Sequence, residues 1–202
     1  MIIIESQKII KYFAELAAGK PTPGSGSGAG ISAVIAASLG SMSASIMAKN
    51  SLVSRDLEMM AAEFEAFQEK FFNLSEQDVK AFKSVMQYSK QNSDDLEKAL
   101  EVAIEVPLEM LEESLRMLRL FQKLLKFKPD TVASEIGTAV KALQTTITAS
   151  RYNIQANYKM LAKQKEITDY AREMKNESEE MLEECDQLVE QLIAYVEEKL
   201  EE

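Results

Sequence analysis

The segment Pro21-Thr22-Pro23-Gly24-Ser25-Gly26-Ser27 is the part of this chain best suited to holding a ligand. Two prolines stiffen the approach, and the residues after them carry little or no side chain. Amide N–H groups at the start of the following helix are therefore left open to an acceptor such as a carboxylate or a ring carbonyl. Five of the seven glycines fall between Gly19 and Gly30. A phosphate loop would need a preceding strand and a Gly-Lys-Ser/Thr ending, and neither is present. The span is uncharged from Pro21 to Ala48 and long enough to cross a bilayer, but its serines and lack of Leu-rich stretches make a poor lipid-facing surface. Small residues at this density also allow a neighbouring helix, or a second copy of the chain, to approach the backbone closely.

Composition removes whole classes of chemistry. The 202 residues contain no histidine and one cysteine. Ser-His-Asp triads, Cys-His pairs, imidazole zinc sites and Glu-x-x-His di-iron bundles are excluded, so proton transfer falls to Asp, Glu, Lys or Tyr. No metal site is expected. A net charge of −10 without a basic cluster argues against nucleic acid. One cysteine, and an N-terminus without a basic, long apolar leader, point to a cytoplasmic protein. The sequons at Asn73 and Asn176 are read as chance matches.

The elements that would position these groups are all helical. Ile9, Ile10, Phe13, Leu16 and Ala17 mark a short first helix stopping near Gly19. A long small-residue helix follows from about Ser27 towards Leu52, and its composition all round suits an interior position. Apolar periodicity resumes at Asp56, with a break expected at Asn73–Asp78 and a new cap at Ser75. The next helix starts at the cap residues Asn92–Asp95 and contains Pro107, which should kink it because proline cannot donate to residue 103. Pro129 ends it, a fifth helix covers about Thr131–Lys163, and a last one carries Cys185 on its apolar side. The acidic run around Glu177–Glu184 reads as a solvated face. The expectation is an all-α, up-and-down bundle of five to six helices forming one domain over 1–202.

With these residues laid out, the chain resembles the formiminotetrahydrofolate cyclodeaminase / methenyltetrahydrofolate cyclohydrolase family of helical folate enzymes. Its Pro-x-Pro-Gly-Gly-Gly-Ser entry to an Ala-rich helix is similar to Pro21–Ser27. Asp78 with Ala81-Phe82 and Val85-Met86 resembles the family's Asp-x-x-Ala-Phe-x-x-Val-Met, and Glu105-Val106-Pro107-Leu108 its Glu-Val-Pro-Leu. Asn153, Asn157 and Lys159 resemble its late paired asparagines. The sequence departs from the family at Ser25 (usually Gly), Glu135 (usually Asp) and Gln155 (commonly Arg).

The resemblance implies a cytoplasmic homodimer that uses a tetrahydrofolate derivative and no further cofactor, and that binds neither membrane nor nucleic acid. The implied reaction is closure of 5-formiminotetrahydrofolate with loss of ammonia, or hydrolysis of 5,10-methenyltetrahydrofolate to 10-formyltetrahydrofolate. Both act on an electrophilic amidinium carbon and need only proton transfer and a carboxylate. Asp78 and Glu135 are the implied carboxylates. Pro23, Gly24, Ser25, Gly26 and Ser27 would line the substrate, and Asn153 and Asn157, four apart on one face, would meet the pterin edge. Lys49, Lys141 or Lys159 would meet the anionic tail, and Tyr152 or Tyr158 could stack on its rings. Two alternatives stand beside this: a folate- or pterin-binding relative without catalysis, and a helical scaffold with no small ligand.

Overall fold

A computed structural model describes residues 6–49, 54–91, 95–164 and 167–201. Among these residues there are six α-helices: α1 (Ser6–Leu16), α2 (Ser25–Ala48), α3 (Ser54–Gln91), α4 (Leu96–Leu125), α5 (Ala133–Gln164) and α6 (Asp169–Glu201), with a 3-10 turn at Asp130–Val132. No strand occurs among the described residues. Helices α2, α3, α4 and α5 pack in a ring of neighbours, and α6 lies against α4 and α5. Their directions alternate: Gly26 faces Asp78 and Gly40 faces Phe64 across α2 and α3. Along α4 and α6, by contrast, Thr168 reaches Glu101 and Arg119 reaches Glu184, so those two run parallel. The expected up-and-down bundle is therefore what forms.

The small residues of α2 explain its central position. It buries Gly26, Ala29, Gly30, Ala33, Ala36, Ala37, Gly40 and Ala44, which are shallow enough for α3 and α5 to close in from two sides. At Gly40 an added Cβ would lie 2.5 Å from the Phe64 ring. Phe64 in turn packs on Phe121 of α4 with ring centroids 4.6 Å apart. One glycine thus lets an aromatic pair span three helices. By length and composition α2 could also cross a membrane, but half of its most apolar window is buried inside the bundle.

Two expectations are revised. The break at Asn73–Asp78 does not exist, because α3 runs without interruption from Ser54 to Gln91. The reason is the buried face Phe67, Phe71, Leu74, Ala81 and Val85, whose spacing passes through the polar stretch in helical phase. Ser75 caps nothing; its hydroxyl donates to the Ser27 carbonyl at 2.6 Å. Helix α2 begins at Ser25, two residues earlier than expected. Its expected end at Leu52, and the cap residues Asn92–Asp94, lie outside the described residues. Gly19, at φ +67°, supplies the left-handed turn that releases the chain from α1. Cys185 is fully buried, and burial pushes its thiol up to about 12, as suits a core residue.

Helix α4 continues through Pro107, which is itself buried. Proline has no N–H for the carbonyl of Ala103, four residues earlier. The side chain of Asn157 on α5 replaces it, donating from Nδ2 to Ala103 O at 2.6 Å in a buried position. Asn157→Ala should therefore destabilise the protein by about 1–3 kcal/mol, by stranding a buried acceptor. In a Pro107→Ala background residue 107 regains its N–H, and the same substitution should cost clearly less. Urea unfolding of the four variants measures this coupling, and equal costs in both backgrounds would remove the assignment.

Candidate active site at the N-terminus of helix α2

Backbone N–H groups in the first turn of a helix have no partner within it. Gly24 precedes helix α2 at the N-cap position and offers no side-chain cap, and no acidic residue lies in the first turn. The missing acceptor arrives from α3. Asp78 is half-buried and receives the Ser27 N–H. Its carboxyl group lies over Gly26, where an added Cβ would fall 1.9 Å from Oδ1. No other residue type fits at 26 without displacing that carboxyl.

Two forces oppose each other at Asp78. Burial raises its pKa above the ordinary 3.8, and the Ser27 N–H lowers it; the balance is upward. The positive end of the α2 dipole also favours the anion, so this helix end moderates a group that burial is driving towards its protonated form. Because Asp78 lies in the middle of α3, it cannot be serving as first-turn charge for its own helix.

Around this carboxyl the other lip residues are tied down. Ser27 is buried, and its hydroxyl shares a 3.0 Å hydrogen bond with Tyr12 of α1. Ser25 donates to Asn153 Oδ1 on α5 at 2.7 Å. That contact fixes the amide and leaves its Nδ2 buried without a partner, as is Ser150 Oγ one turn earlier. Buried donors without acceptors cost free energy, and native proteins tolerate few of them. Pro23 and Gly24 are half-buried at the rim. Thr146, on the same face of α5, anchors this side by donating to Ala29 O at 2.8 Å.

The expected site residues divide into two groups. Pro23, Gly24, Ser25, Gly26, Ser27, Asp78 and Asn153 meet at one end of the bundle. Asn157 lies next to them, with its donor committed to Ala103. Glu135 does not join them within one chain. It sits half-buried in the first turn of α5, hydrogen-bonded to Ser134, 18 residues and hence about 27 Å along the axis from Asn153. The lysines expected at the tail are displaced too. Lys49 directly follows α2, 23 residues or about 35 Å from Gly26, and Lys141 lies 12 residues or about 18 Å before Asn153, both exposed. Lys159 is exposed about 9 Å beyond Asn153.

Gln155 and Tyr158 face α6, lining a surface cavity with Arg151 and Lys175. The Lys175 ammonium lies 5.8 Å from the Tyr158 ring, and Tyr152 is largely exposed. The glutamine that replaces arginine therefore points away from the lip. Sequence reasoning missed Tyr12, Lys20 and Lys83, which lie close to the lip and belong to no motif.

The sequence profile of the family described as Formiminotransferase-cyclodeaminase matches residues 8–176. Among solved structures, the crystal structure of formiminotetrahydrofolate cyclodeaminase from Thermotoga maritima superposes with a TM-score of 0.76 and 26% sequence identity. The match covers 96% of this chain and 95% of that one. No curated protein sequence matches.

The upward shift at Asp78 has a definite sign for stability. Above the unfolded-state pKa the folded protein binds this proton more tightly, so stability falls as pH rises from about 4 through the folded-state value. Asp78→Asn removes that penalty while keeping a similar shape. The variant should be at least as stable as the wild type at pH 7, and its advantage should shrink towards pH 4. Thermal melts across this range test it, and a variant that melts well below wild type at pH 7 would contradict the assignment.

Proposed function

Because the chain belongs to the formiminotransferase-cyclodeaminase family, we propose that it closes 5-formiminotetrahydrofolate to 5,10-methenyltetrahydrofolate with release of ammonia. The observation that carries this reading is Asp78, a half-buried carboxyl with a raised pKa set against the open N-terminus of α2. N10 of the substrate attacks the formimino carbon, forming the second C–N bond and losing its proton to water. Asp78 in its acid form donates its proton to the departing nitrogen, and the bond from carbon to that nitrogen breaks. The carboxylate left behind then faces the cationic methenyl bridge and offsets its charge. Free first-turn amides of α2 and the Asn153 side chain supply polar contacts for the pterin ring. The solved relative named as a formiminotetrahydrofolate cyclodeaminase supports the same choice.

The reverse need, activation of water to open the methenyl bridge to 10-formyltetrahydrofolate, calls for a base rather than an acid. A raised pKa suits Asp78 to act both as an acid and as a base, so the choice of cyclodeamination rests on the solved relative named for that reaction. The substrate's own amidinium carbon is electrophilic, and the proposed reaction uses no cofactor beyond the tetrahydrofolate.

The methenyl product absorbs in the near ultraviolet, so its appearance from the formimino compound is a direct assay. Wild-type protein should accelerate it, and Asp78→Asn should lower the rate about 10²-fold or more. Thermal stabilisation by folates without turnover would replace this reading with a non-catalytic binding protein. No folate effect at all would leave a scaffold.

We also propose that the chain works as a homodimer. Two apolar faces lie open, one on α1 with Ile9, Ile10 and Phe13 and one on α2 with Ile35 and Met42, with exposures of 40–65%. A second copy supplies the matching surface. Sedimentation should give a dimer for the wild type and a monomer for Phe13→Glu combined with Ile35→Glu; a monomeric wild type would rule this assembly out.

A further inference from the structure

A substrate with a dicarboxylate tail approaches a chain of net charge −10, so binding requires cations placed locally against that field. The lysines expected from the sequence to do this do not converge on Asp78. A cavity of about 400 Å³ next to the lip contains two others. It is lined by Glu15 from the end of α1, Lys20, Pro21 and Thr22 from the lip, and Lys83 and Met86 from α3. Its volume is near the small end of the ~300–1,000 Å³ range for ligand sites, which suits an amino-acid-sized group rather than a whole folate.

We infer that Lys20 and Lys83 form the subsite for the carboxylates of the substrate's glutamate tail. The inference rests on the folate reading above and adds the group that selects the tail. Among the described residues neither lysine makes an ion pair or a hydrogen bond, whereas Glu15, the single acid in the lining, has Lys11 at 3.9 Å. The cavity thus presents two free ammonium groups against one partly offset carboxylate.

The spacing fits. Met86 is eight residues beyond Asp78 on the same helix, about 12 Å along the axis, which is of the order of the aminobenzoyl spacer between the reacting carbon and the glutamate. Met86 also gives that ring a soft apolar side chain to lie against. Pro21 and Thr22 line the cavity while Gly26 and Ser27 border Asp78, so one short segment touches both ends of the ligand.

The test compares formimino substrates with and without the glutamate, that is, the tetrahydrofolate and tetrahydropteroate forms. Lys83→Ala and Lys20→Ala should each raise KM for the glutamylated substrate about tenfold, with kcat within about twofold. KM for the pteroate form should stay unchanged. Lys83→Arg should restore most of the loss, and added salt should raise the wild-type KM for the glutamylated substrate alone. Equal changes for both substrates, or no change for either, would overturn the tail subsite and leave the folate reading intact. If the wild type turned over neither substrate, both would fall.

Discussion

The carboxyl group of Asp78 lies in the space that a side chain at residue 26 would need. From that contact follow the depth to which α3 approaches α2, the acceptor that the first turn of α2 lacks on its own, and the acidity of the carboxyl group. A larger residue at 26 would force the helices apart or turn the carboxyl outward, where water would return its pKa towards the ordinary range. Gly30 repeats the arrangement one turn on, with the Ser75 hydroxyl 2.5 Å from where its Cβ would be. Ser75 and Asp78 are three apart on α3, and both bond to the Ser27 backbone, one to its carbonyl and the other to its N–H. A single peptide position therefore fixes the rotation of α3 against α2 and, with it, the direction of the acid.

The bundle was legible in the sequence because its signals are local and redundant. Leu100, Ile104, Leu111, Leu115 and Leu118 repeat in helical phase on α4, and all are buried. Asp78, Asn153 and the glycine lip were legible through their motif, and they do meet. What failed were inferences about distance. Ser75 and Asn73 resemble a cap and a turn locally, yet the buried stripe on either side keeps α3 continuous, and a tertiary hydrogen bond takes up the serine hydroxyl. Glu135, Lys49 and Lys141 are of types suited to acid-base or anion-binding roles, but residues 12 to 23 positions along a rigid helix from the lip do not reach it within the same chain. Lys20 and Lys83 carried no signal, since exposed lysines look alike until two elements bring them to one cavity.

Departures from the family pattern also read differently in three dimensions. Ser25, where a glycine is usual, supplies the hydroxyl that orients Asn153. Gln155 faces α6, so losing an arginine there removes charge from a different surface. The Glu135 change lies near the far end of the bundle, where its extra methylene does not act on Asp78 within the same chain.

The site's rigidity is finally traceable to Pro107 on α4, a helix that contributes none of the lip residues. Pro107 leaves the Ala103 carbonyl without its helical partner, and Asn157 fills that role from α5. This pins α5 to α4 at a point one turn from Asn153, while Thr146 pins it to α2 two turns before. With α5 held at both points, the Asn153 amide meets Ser25 at 2.7 Å. A helix fastened on two sides cannot slide or roll, so the Asn153 amide keeps one orientation against Ser25.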